Sequence, residues 1–310
     1  MNGPKRHHYL PQFYLEGFCR DGHLWVFDRE ANELRRQTPV NTAVMKQYYT
    51  VEDEGGEKNN DIELFLSQIE SVSKPVVQKV VSKAQMSSED KEVMSVFIAF
   101  LMNRVPDFEK SINKAESHVI QKIMDLTFSS EERAEALMKR YVNATGDQSE
   151  VSAKDLVEFH RSGAYTLEIH RNESLRLMLE LSVNIAKYLI QMDWIFFHAP
   201  KKTSFVTSDN PVFIVPPKDW DPDSPFGIGL ITQGARKVVP ITQGVCLVMY
   251  DHGERTLHSD LSRDLVRGFN KSIAYNSDRF LIGRDEALVL NLARTMKLAE
   301  WKNNGRIQIS

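Results

Sequence analysis

Short apolar runs separated by polar turns begin the chain. The run from Leu24 to Phe27 is typical of a strand, and a second strand is predicted from Glu33 to Gln37 after a polar turn. A third strand is predicted from Tyr48 to Val51, followed by a polar loop from Glu52 to Asn60. The N-terminal part of the chain is therefore predicted to form strands and turns.

Apolar residues at helical spacing fill the middle of the chain. A first helix is predicted to begin at an Asn60-Asp61 cap, and Pro75 is expected to kink or break it. A second helix is predicted from Ser88 to Asn103. Further helical patterns cover Asp107 to Phe128, Ser130 to Asn143, Ala153 to His160 and Glu173 to Met192. Residues 61–192 are therefore predicted to form a helical insertion or cap.

Strand character returns at Trp194 and continues with interruptions to Tyr250. The end of the chain predicts two helices, Asp260 to Ala274 and Asp285 to Trp301, with a strand from Arg279 to Ile282 between them. The order of elements favours a single α+β domain over residues 1–310. In that domain, N- and C-terminal segments share a mixed or antiparallel sheet beside a large central helical layer. The Pro- and Gly-rich run from Pro216 to Gly234 is a candidate lid.

Composition sets limits on the type of protein. The 310 residues are 42% apolar and 26% charged, which is ordinary for a globular chain. Lys plus Arg number 39 and Asp plus Glu number 42, so the net charge of −3 lacks the basic excess of an obligate nucleic-acid coat. A local basic groove is still compatible with this balance. The pairs Arg35-Arg36 and Lys201-Lys202 are candidates for it, although solvated charge is their default interpretation.

Cysteine usage and hydropathy indicate the compartment. Cys19 and Cys246 lie far apart in the chain and without metal-ligand spacing, so they are interpreted as free buried thiols in a reducing environment. No apolar run reaches the length of a membrane span, and the N-terminus has no signal-peptide pattern. The expected location is the cytoplasm, with no membrane partner.

The segment from His7 to Phe18, called the opening block below, is dense in groups that hydrogen-bond or stack. His8 is a candidate acid, base or metal ligand, and is favoured over His7 because adjacent strand residues point to opposite faces. Tyr9, Gln12 and Tyr14 are candidate substrate contacts. The alternative for the aromatic residues is a place in the core, which is their commoner location.

A second block from Phe205 to Val212 contains an apolar strand followed by Ser208-Asp209-Asn210-Pro211. Asp209 is the best candidate for a catalytic carboxylate, with Asn210 orienting a water and Ser208 contacting substrate. Ser-Asp-Asn-Pro is equally good turn chemistry, because Asp and Asn side chains bind nearby backbone N–H groups. If the two blocks meet in space, His, Gln, Asp and Asn side chains surround one pocket.

Two further features allow a structural or a functional interpretation. Arg104 follows an apolar helix and either binds a phosphate or carboxylate of a substrate or stabilises the helix C-terminus, the second being favoured. His252, His258 and Asp260 form a loose group whose spacing matches no specific metal-ligand motif. No phosphate-binding glycine loop, CxxC pair, HExxH helix or GxSxG elbow is present, which argues against an ATPase, a zinc protease or an α/β-hydrolase.

The two blocks together resemble a bacterial family called domain of unknown function 4238. The resemblance is carried by His7 to Phe18, by Thr207 to Pro211 after the strand at Trp194, and by the helix ending at Arg104 to Pro106. Leu10 and Glu16-Gly17 are minor departures. The resemblance implies a bacterial accessory protein, with some members in genetic settings suggestive of phage defence. It implies no reaction.

The leading hypothesis is a nucleic-acid-directed hydrolase of bacterial anti-phage defence with DNA as its partner. A single carboxylate with amide and imidazole neighbours suits hydrolysis of an N-glycosidic bond, as in a DNA glycosylase, and needs no metal or other cofactor. The first alternative is a metal-dependent nuclease that uses His8 and Asp209. The second is a non-enzymatic sensor that binds a nucleotide or a phage component in the same pocket.

Overall fold

A computed structural model describes residues 6–52, 58–147, 150–221, 228–251, 253 and 255–300. In the described residues, the strands are β1 (Arg6–His8), β2 (Leu24–Asp28), β3 (Glu33–Gln37), β4 (Val44–Lys46), β5 (Val51–Glu52), β6 (Lys58–Asn59), β7 (Asp193–His198), β8 (Thr207–Ser208), β9 (Phe213–Val215), β10 (Arg236–Thr242), β11 (Val245–Tyr250), β12 (Thr256–Asp260) and β13 (Phe280–Gly283). The helices are α1 (Gln12–Glu16), α2 (Asp61–Val81), α3 (Ser88–Asn103), α4 (Pro106–Thr127), α5 (Glu131–Thr145), α6 (Ala153–Ser162), α7 (Arg171–Leu189), α8 (Arg263–Tyr275) and α9 (Glu286–Glu300). The predicted α+β class is confirmed.

The chain divides into two compact units. The first consists of Met1–Phe108 and Leu175–Ser310, and the second is Glu109–Ser174. The helices of the predicted insertion, 61–192, are shared between them, because α2 and α3 belong entirely to the first unit. Within the described part of the chain, no helix is long and apolar enough to cross a membrane.

The four-stranded sheet of the first unit joins the two ends of the chain. Its strand order is β3-β2-β13-β8, and all three pairs are antiparallel. Phe27 of β2 lies opposite Leu281 of β13, and Leu281 lies opposite Ser208 of β8. The prediction that N-terminal strands share a sheet with C-terminal ones is confirmed, and β13 is the strand that connects them.

The five-stranded sheet of the first unit is covered on both faces. Its order is β12-β7-β11-β10-β9, with β12 parallel to β7 and the other pairs antiparallel. Along β11, Leu247 and Met249 pack in one hydrophobic cluster while Cys246 and Val248 pack in another. Alternate residues of a strand face opposite sides, so a strand buried on both faces has an almost continuous apolar sequence.

The opening block lies in the larger hydrophobic cluster. Tyr9, Tyr14 and Phe18 are buried there with residues of α2, α3 and α7 and with one face of the five-stranded sheet. The second cluster packs α8 and α9 on strands of both larger sheets. The block is therefore anchored in the core.

The second unit has a small core of its own. Ala134, Ala153 and Val157 are buried there, with Phe128 and Met138 packed against them. Its helices α5 and α6 begin at the serine caps Ser130 and Ser152 and end at glycines in the left-handed conformation, Gly146 and Gly163.

One local prediction was wrong and a second was wrong in part. Residues 47–49 form a turn, and only Val51–Glu52 is a strand. Tyr48 and Tyr49 are apolar enough to resemble a strand but are buried as turn residues in the large cluster. Pro75 lies inside the continuous helix α2 and does not break it, because tertiary packing of Val76 and Val80 in the core outweighs the loss of one backbone N–H donor.

Gly17 allows the end of the opening block to approach the five-stranded sheet. A Cβ built there would lie 3.0 Å from the Tyr14 carbonyl oxygen and 3.1 Å from Cγ2 of Thr242. We expect Gly17→Ala to lower the free energy of unfolding by about 1–3 kcal/mol, the usual cost of overpacking. Gly268→Ala is the matched control, because a Cβ on this glycine of α8 meets nothing within 4 Å. Chemical denaturation of both variants tests this, and equal stabilities would contradict it.

Candidate functional site

The opening block and the second block meet in the structure. The Tyr14 hydroxyl donates to the Pro240 carbonyl oxygen at 2.7 Å and lies 2.7 Å from the Thr207 hydroxyl. A phenol has a single proton, so the Thr207 hydroxyl is the donor in the second bond. All three groups are buried, and the phenol of Tyr14 therefore fixes the opening block against β8 and β10.

Asp209 holds the connection between α8 and β13. Its carboxylate accepts the backbone N–H of Asp278 at 3.0 Å and that of Arg279 at 2.7 Å. Its own N–H donates to the Phe280 carbonyl at 3.1 Å. The side chain is only 4% exposed, and burial raises the pKa of Asp209 to about 6 although the backbone donors oppose that shift.

Asn210 and Ser208 complete the turn around Asp209. The Asn210 amide donates to the carbonyl oxygen of Asn276, the residue that ends α8, at 3.1 Å, and to Asp107 at 3.3 Å. It thereby satisfies one of the carbonyl groups that a helix leaves open at its C-terminus. The Ser208 hydroxyl donates to the Asn210 carbonyl and accepts the Asn210 N–H. The side chains of both residues therefore form hydrogen bonds that stabilise the turn.

Tyr9 is the member of the opening block that lies near Asp209. Burial raises the pKa of Tyr9 above its ordinary range, and the negative charge of Asp209 raises it further. The Tyr9 ring packs edge-on against Tyr48, with ring centroids 6.2 Å apart. The charge of the Asp209 carboxylate therefore acts on a phenol that is itself buried.

His8 and Gln12 form a pair of their own. His8 Nε2 lies 3.1 Å from the Val40 carbonyl oxygen, so this nitrogen carries the proton, and Nδ1 is the acceptor for the Gln12 amide at 3.4 Å. Burial lowers the pKa of His8, which favours the neutral ring at pH 7. His7 is fully buried and accepts the N–H of Tyr49. Among the described residues, no hydrogen bond or ion pair joins His8 or Gln12 to Asp209.

Arg104 makes its contacts inside the protein. Its guanidinium donates to Glu70 at 2.7 Å, to the His8 carbonyl at 2.6 Å and to the Tyr49 hydroxyl at 3.2 Å. The side chain is 3% exposed and stacks over the Tyr49 ring. Arg104 ends α3, and its described hydrogen bonds connect this helix end to α2 and β1.

The candidate residues thus fall into two groups. Tyr9, Tyr14, Ser208, Asp209 and Asn210 are brought together at the junction of the two blocks, whereas His8, Gln12 and Arg104 belong to the region around β1. The described hydrogen bonds give most of these side chains a structural role. Their catalytic and substrate-binding roles stay predictions.

A cationic pocket lies at the other end of the same two blocks. It has a volume of about 600 Å³, and Ser204 and Asn270 form part of its lining. Asn270 is buried, accepts the N–H of Val206 and donates to the Ser204 carbonyl, which fixes α8 to the start of the second block. Five cations line this pocket: Arg20, Lys202, Arg263, Arg267 and Arg284.

Acidic side chains only partly balance these cations. Asp285 is the single carboxylate among the described lining residues, and it lies 3.6 Å from Arg20. Arg267 pairs with Asp264 at the exposed surface, where such a pair contributes little. Within the described part of the chain, Lys202 and Arg263 have no ion-pair partner. The pocket therefore carries a surplus of positive charge in a chain whose net charge is −3.

Gln243 connects the pocket to both blocks. Its backbone N–H donates to Gly17 and its backbone carbonyl accepts from Phe205. Its side chain donates to the Cys19 carbonyl and accepts from Arg284. The Gln243 turn therefore holds one of the pocket cations in a fixed orientation.

Sequence reasoning identified only one member of this pocket, Lys202 in its pair with Lys201. The cations come from four separate segments, so no local pattern connects them. The available signal was Arg263 and Arg267, four residues apart at the start of a predicted helix and hence on one of its faces.

The predicted loose group of His258, Asp260 and His252 is arranged differently. His258 Nδ1 lies 2.8 Å from Nε2 of His198, and Asp260 pairs with Lys83 at 2.7 Å. His252 lies outside the described residues, as do residues 222–227 of the candidate lid from Pro216 to Gly234. In the described ranges, no three His, Cys, Asp or Glu side chains are arranged to hold a metal ion.

Comparison with known families assigns the chain. The family described as "Protein of unknown function (DUF4238)" matches residues 6–287, which is nearly the whole chain. The chain belongs to this family. No curated protein and no solved structure matches it. The match of this DUF4238 protein spans both blocks and all five cations of the pocket.

The hydrogen bonds of Asp209 predict how this DUF4238 protein responds to Asp209→Asn. An amide can accept only one of the two backbone N–H groups, so the free energy of unfolding should fall by about 1–3 kcal/mol. Asp21→Asn is the control, because Asp21 is exposed and its φ of 52° suits Asn. Thermal and chemical denaturation measure the difference. An unchanged melting temperature would show that one of these bonds is dispensable and would favour a purely catalytic carboxylate.

The paired histidines predict an acid-sensitive edge of the five-stranded sheet. Burial, followed by the charge of Lys83, lowers the pKa of both His198 and His258 below 6.5. The unfolded chain therefore binds more protons, so the stabilising contribution is present above pH 6.5 and is lost as the pH falls below it.

Denaturation at about pH 7.5 and about pH 5.5 should show a smaller loss of stability in His258→Gln than in the unmodified protein. His118→Gln, an exposed substitution, should behave like the unmodified protein. The same loss in all three proteins would contradict the assignment.

Proposed function

We propose that this protein acts on DNA as a hydrolase, that it binds phosphates in the cationic pocket, and that it excises a modified base by hydrolysis of the N-glycosidic bond. The observation that carries the proposal is the convergence of five cations on one cavity. Arg and Lys are the side chains that bind phosphate oxygens, and Arg binds them bidentately. In a chain with a net charge of −3, DNA affinity then depends on this local field.

The second block extends from this pocket to the candidate carboxylate. Ser204 lines the pocket, and Asp209 follows it five positions later in the chain. Five residues of extended chain span at most about 18 Å. A DNA strand of about five nucleotides covers that distance at the spacing of duplex DNA. A phosphate held in the pocket therefore lies no more than about five nucleotides from Asp209.

The chemistry assigned to Asp209 follows from its environment. Hydrolysis breaks the bond between C1′ of the sugar and the base, develops positive charge on the sugar, and adds water at C1′ while the base leaves with a proton. The two backbone N–H bonds fix the carboxylate, and each oxygen keeps a second lone pair for the reacting groups. The raised pKa of about 6 suits a group that exchanges a proton near neutral pH.

Aromatic and amide side chains near Asp209 suit recognition of an extruded base. Tyr9 supplies a ring on which the charge of Asp209 acts. Asn210 supplies its amide oxygen to a base edge or a water, because the amide nitrogen is already bonded to Asn276 and Asp107. The proposal assigns these two side chains to the base and assigns the pocket to the backbone.

The test is incubation of the purified protein with DNAs that carry modified or unmodified bases, each with and without a chelator. Base excision leaves abasic sites, so strand breaks should appear only after alkali or heat and should survive chelation. Asp209→Asn should lower the rate by orders of magnitude at a temperature where the variant is folded. The double variant Lys202→Gln, Arg267→Gln should bind DNA more weakly and with a smaller dependence on salt.

Other outcomes would overturn the proposal in identifiable ways. Direct strand breaks that vanish with chelator would assign the protein as a metal-dependent nuclease. Binding without any change in DNA would assign it as a sensor. Full activity in Asp209→Asn would remove that residue from the chemistry and leave its role in the turn.

A further inference from the structure

The cationic pocket differs from a flat surface that follows a phosphate backbone. Its cations come from four segments of the chain: the residues after the opening block, the residues before the second block, the start of α8, and the residue that follows β13. They line one cavity of about 600 Å³, a volume typical of sites for small ligands. The positive charges therefore surround one cavity of the size of a small ligand.

Convergent charge of this kind favours a particular phosphate. An internal phosphodiester carries a single negative charge, and successive diesters are spread along the strand. A phosphomonoester carries a charge of about −1.5 to −2 near pH 7 and presents three strong acceptor oxygens. Five cations against one carboxylate match the second type better, because a group with a higher charge and three acceptor oxygens can bind several donors.

Three of the cations are held in different ways. Arg284 is half-buried and donates a hydrogen bond to the side chain of Gln243. Gln243 is neutral, so this bond does not cancel the positive charge of Arg284. Arg263 has no ion-pair partner in the described part of the chain. Arg20 forms an ion pair with Asp285 at 3.6 Å. An incoming anion can replace Asp285 in this exposed pair at a modest cost in free energy. Binding an anion would relieve the mutual repulsion among these side chains.

We propose that the cationic pocket binds a phosphomonoester, supplied by the terminal phosphate of a nucleic-acid strand or by a free nucleotide. This proposal deepens the proposed function and rests on its assignment of phosphate binding to this pocket. Arg263 and Arg284 are the principal ligands, and the buried Asn270 fixes α8 to Ser204, another residue of the lining.

The experiment compares single-stranded DNAs of one sequence and about 12 nucleotides with a 5′ phosphate, a 3′ phosphate or no terminal phosphate. A fluorescent label on the end without phosphate reports binding by anisotropy. A terminal phosphate should raise the affinity at least about tenfold, because charge-assisted bidentate bonds add to the backbone contacts. Adenosine monophosphate, used as a competitor beside adenosine, shows whether the free nucleotide binds in the same way.

The double variant Arg263→Gln, Arg284→Gln should lose the increment from the terminal phosphate. Arg35→Gln should keep it, because Arg35 is a partly exposed arginine that pairs with Glu33 and does not line the pocket. Circular dichroism confirms folding of each variant. If the double variant does not fold, a rise in the melting temperature of the unmodified protein with adenosine monophosphate but not adenosine supplies the same test.

The outcomes separate this inference from the proposed function. Equal affinity for strands with and without a terminal phosphate, lost in the double variant, would overturn the phosphomonoester and leave phosphate-backbone binding in place. No binding of any strand would overturn the proposed function, while binding of adenosine monophosphate alone would retain the phosphomonoester site. If the terminal phosphate still raises the affinity of the double variant, the phosphate binds outside the cationic pocket.

Discussion

The carboxylate of Asp209 accepts hydrogen bonds from backbone N–H groups in the segment that connects α8 to β13. The N–H groups of Asp278 and Arg279 are both bonded to this carboxylate. An unpaired buried N–H group costs as much as a lost hydrogen bond, so a single side chain sets the path of this connection. Because β13 pairs with β2 on one side and with β8 on the other, the connection also fixes where the N-terminal hairpin meets the second block.

Neighbouring contacts reinforce the same connection. Arg279 forms a two-bond ion pair with the buried Asp28, at 3.0 and 2.7 Å, and Arg29 donates to the Ser277 carbonyl at 2.6 Å. Asp28 also accepts two backbone N–H groups of the β2–β3 turn. The first hairpin and the end of α8 are therefore held by charge-assisted bonds, which are shorter and stronger than neutral ones. The N-terminal hairpin is thus part of the framework that positions Asp209.

This arrangement explains what the sequence could and could not predict. The long helices and the strands at Leu24, Trp194 and Phe280 follow from hydrophobic periodicity, a local property. The segment from Tyr48 to Val51 has the composition of a strand, but Tyr48 and Tyr49 lie in a turn and their side chains are buried in the large hydrophobic cluster. Pro75 lies in a helix held by packing partners remote in sequence. These failures share a cause, because the deciding contacts are tertiary and leave no periodic signal.

The candidate site shows the same limit more sharply. Asp209 was identified from its residue type and its place after a strand, but a turn-forming carboxylate and a catalytic one use the same polar group in the same position. In its buried position Asp209 binds backbone N–H groups, and burial also raises its pKa to about 6. The same environment therefore produces both the structural contact and a carboxyl group suited to proton transfer. Apart from Lys202, the pocket cations were missed because residues as far apart as Arg20 and Arg284 line one pocket only in the folded chain.

The positions of the pocket and of Asp209 constrain how the proposed function could achieve selectivity. A protein of net charge −3 that holds phosphate through one pocket neutralises few phosphates, so its affinity for DNA in general is modest and falls with salt. Phosphate contacts carry no sequence or base information. Under the proposed function, discrimination between modified and ordinary DNA must then come from groups that contact the base, a role that the proposal assigns to Tyr9 and Asn210. Weak backbone binding is in this respect an advantage, because it leaves the contacts to the base to decide which DNA remains bound long enough to react.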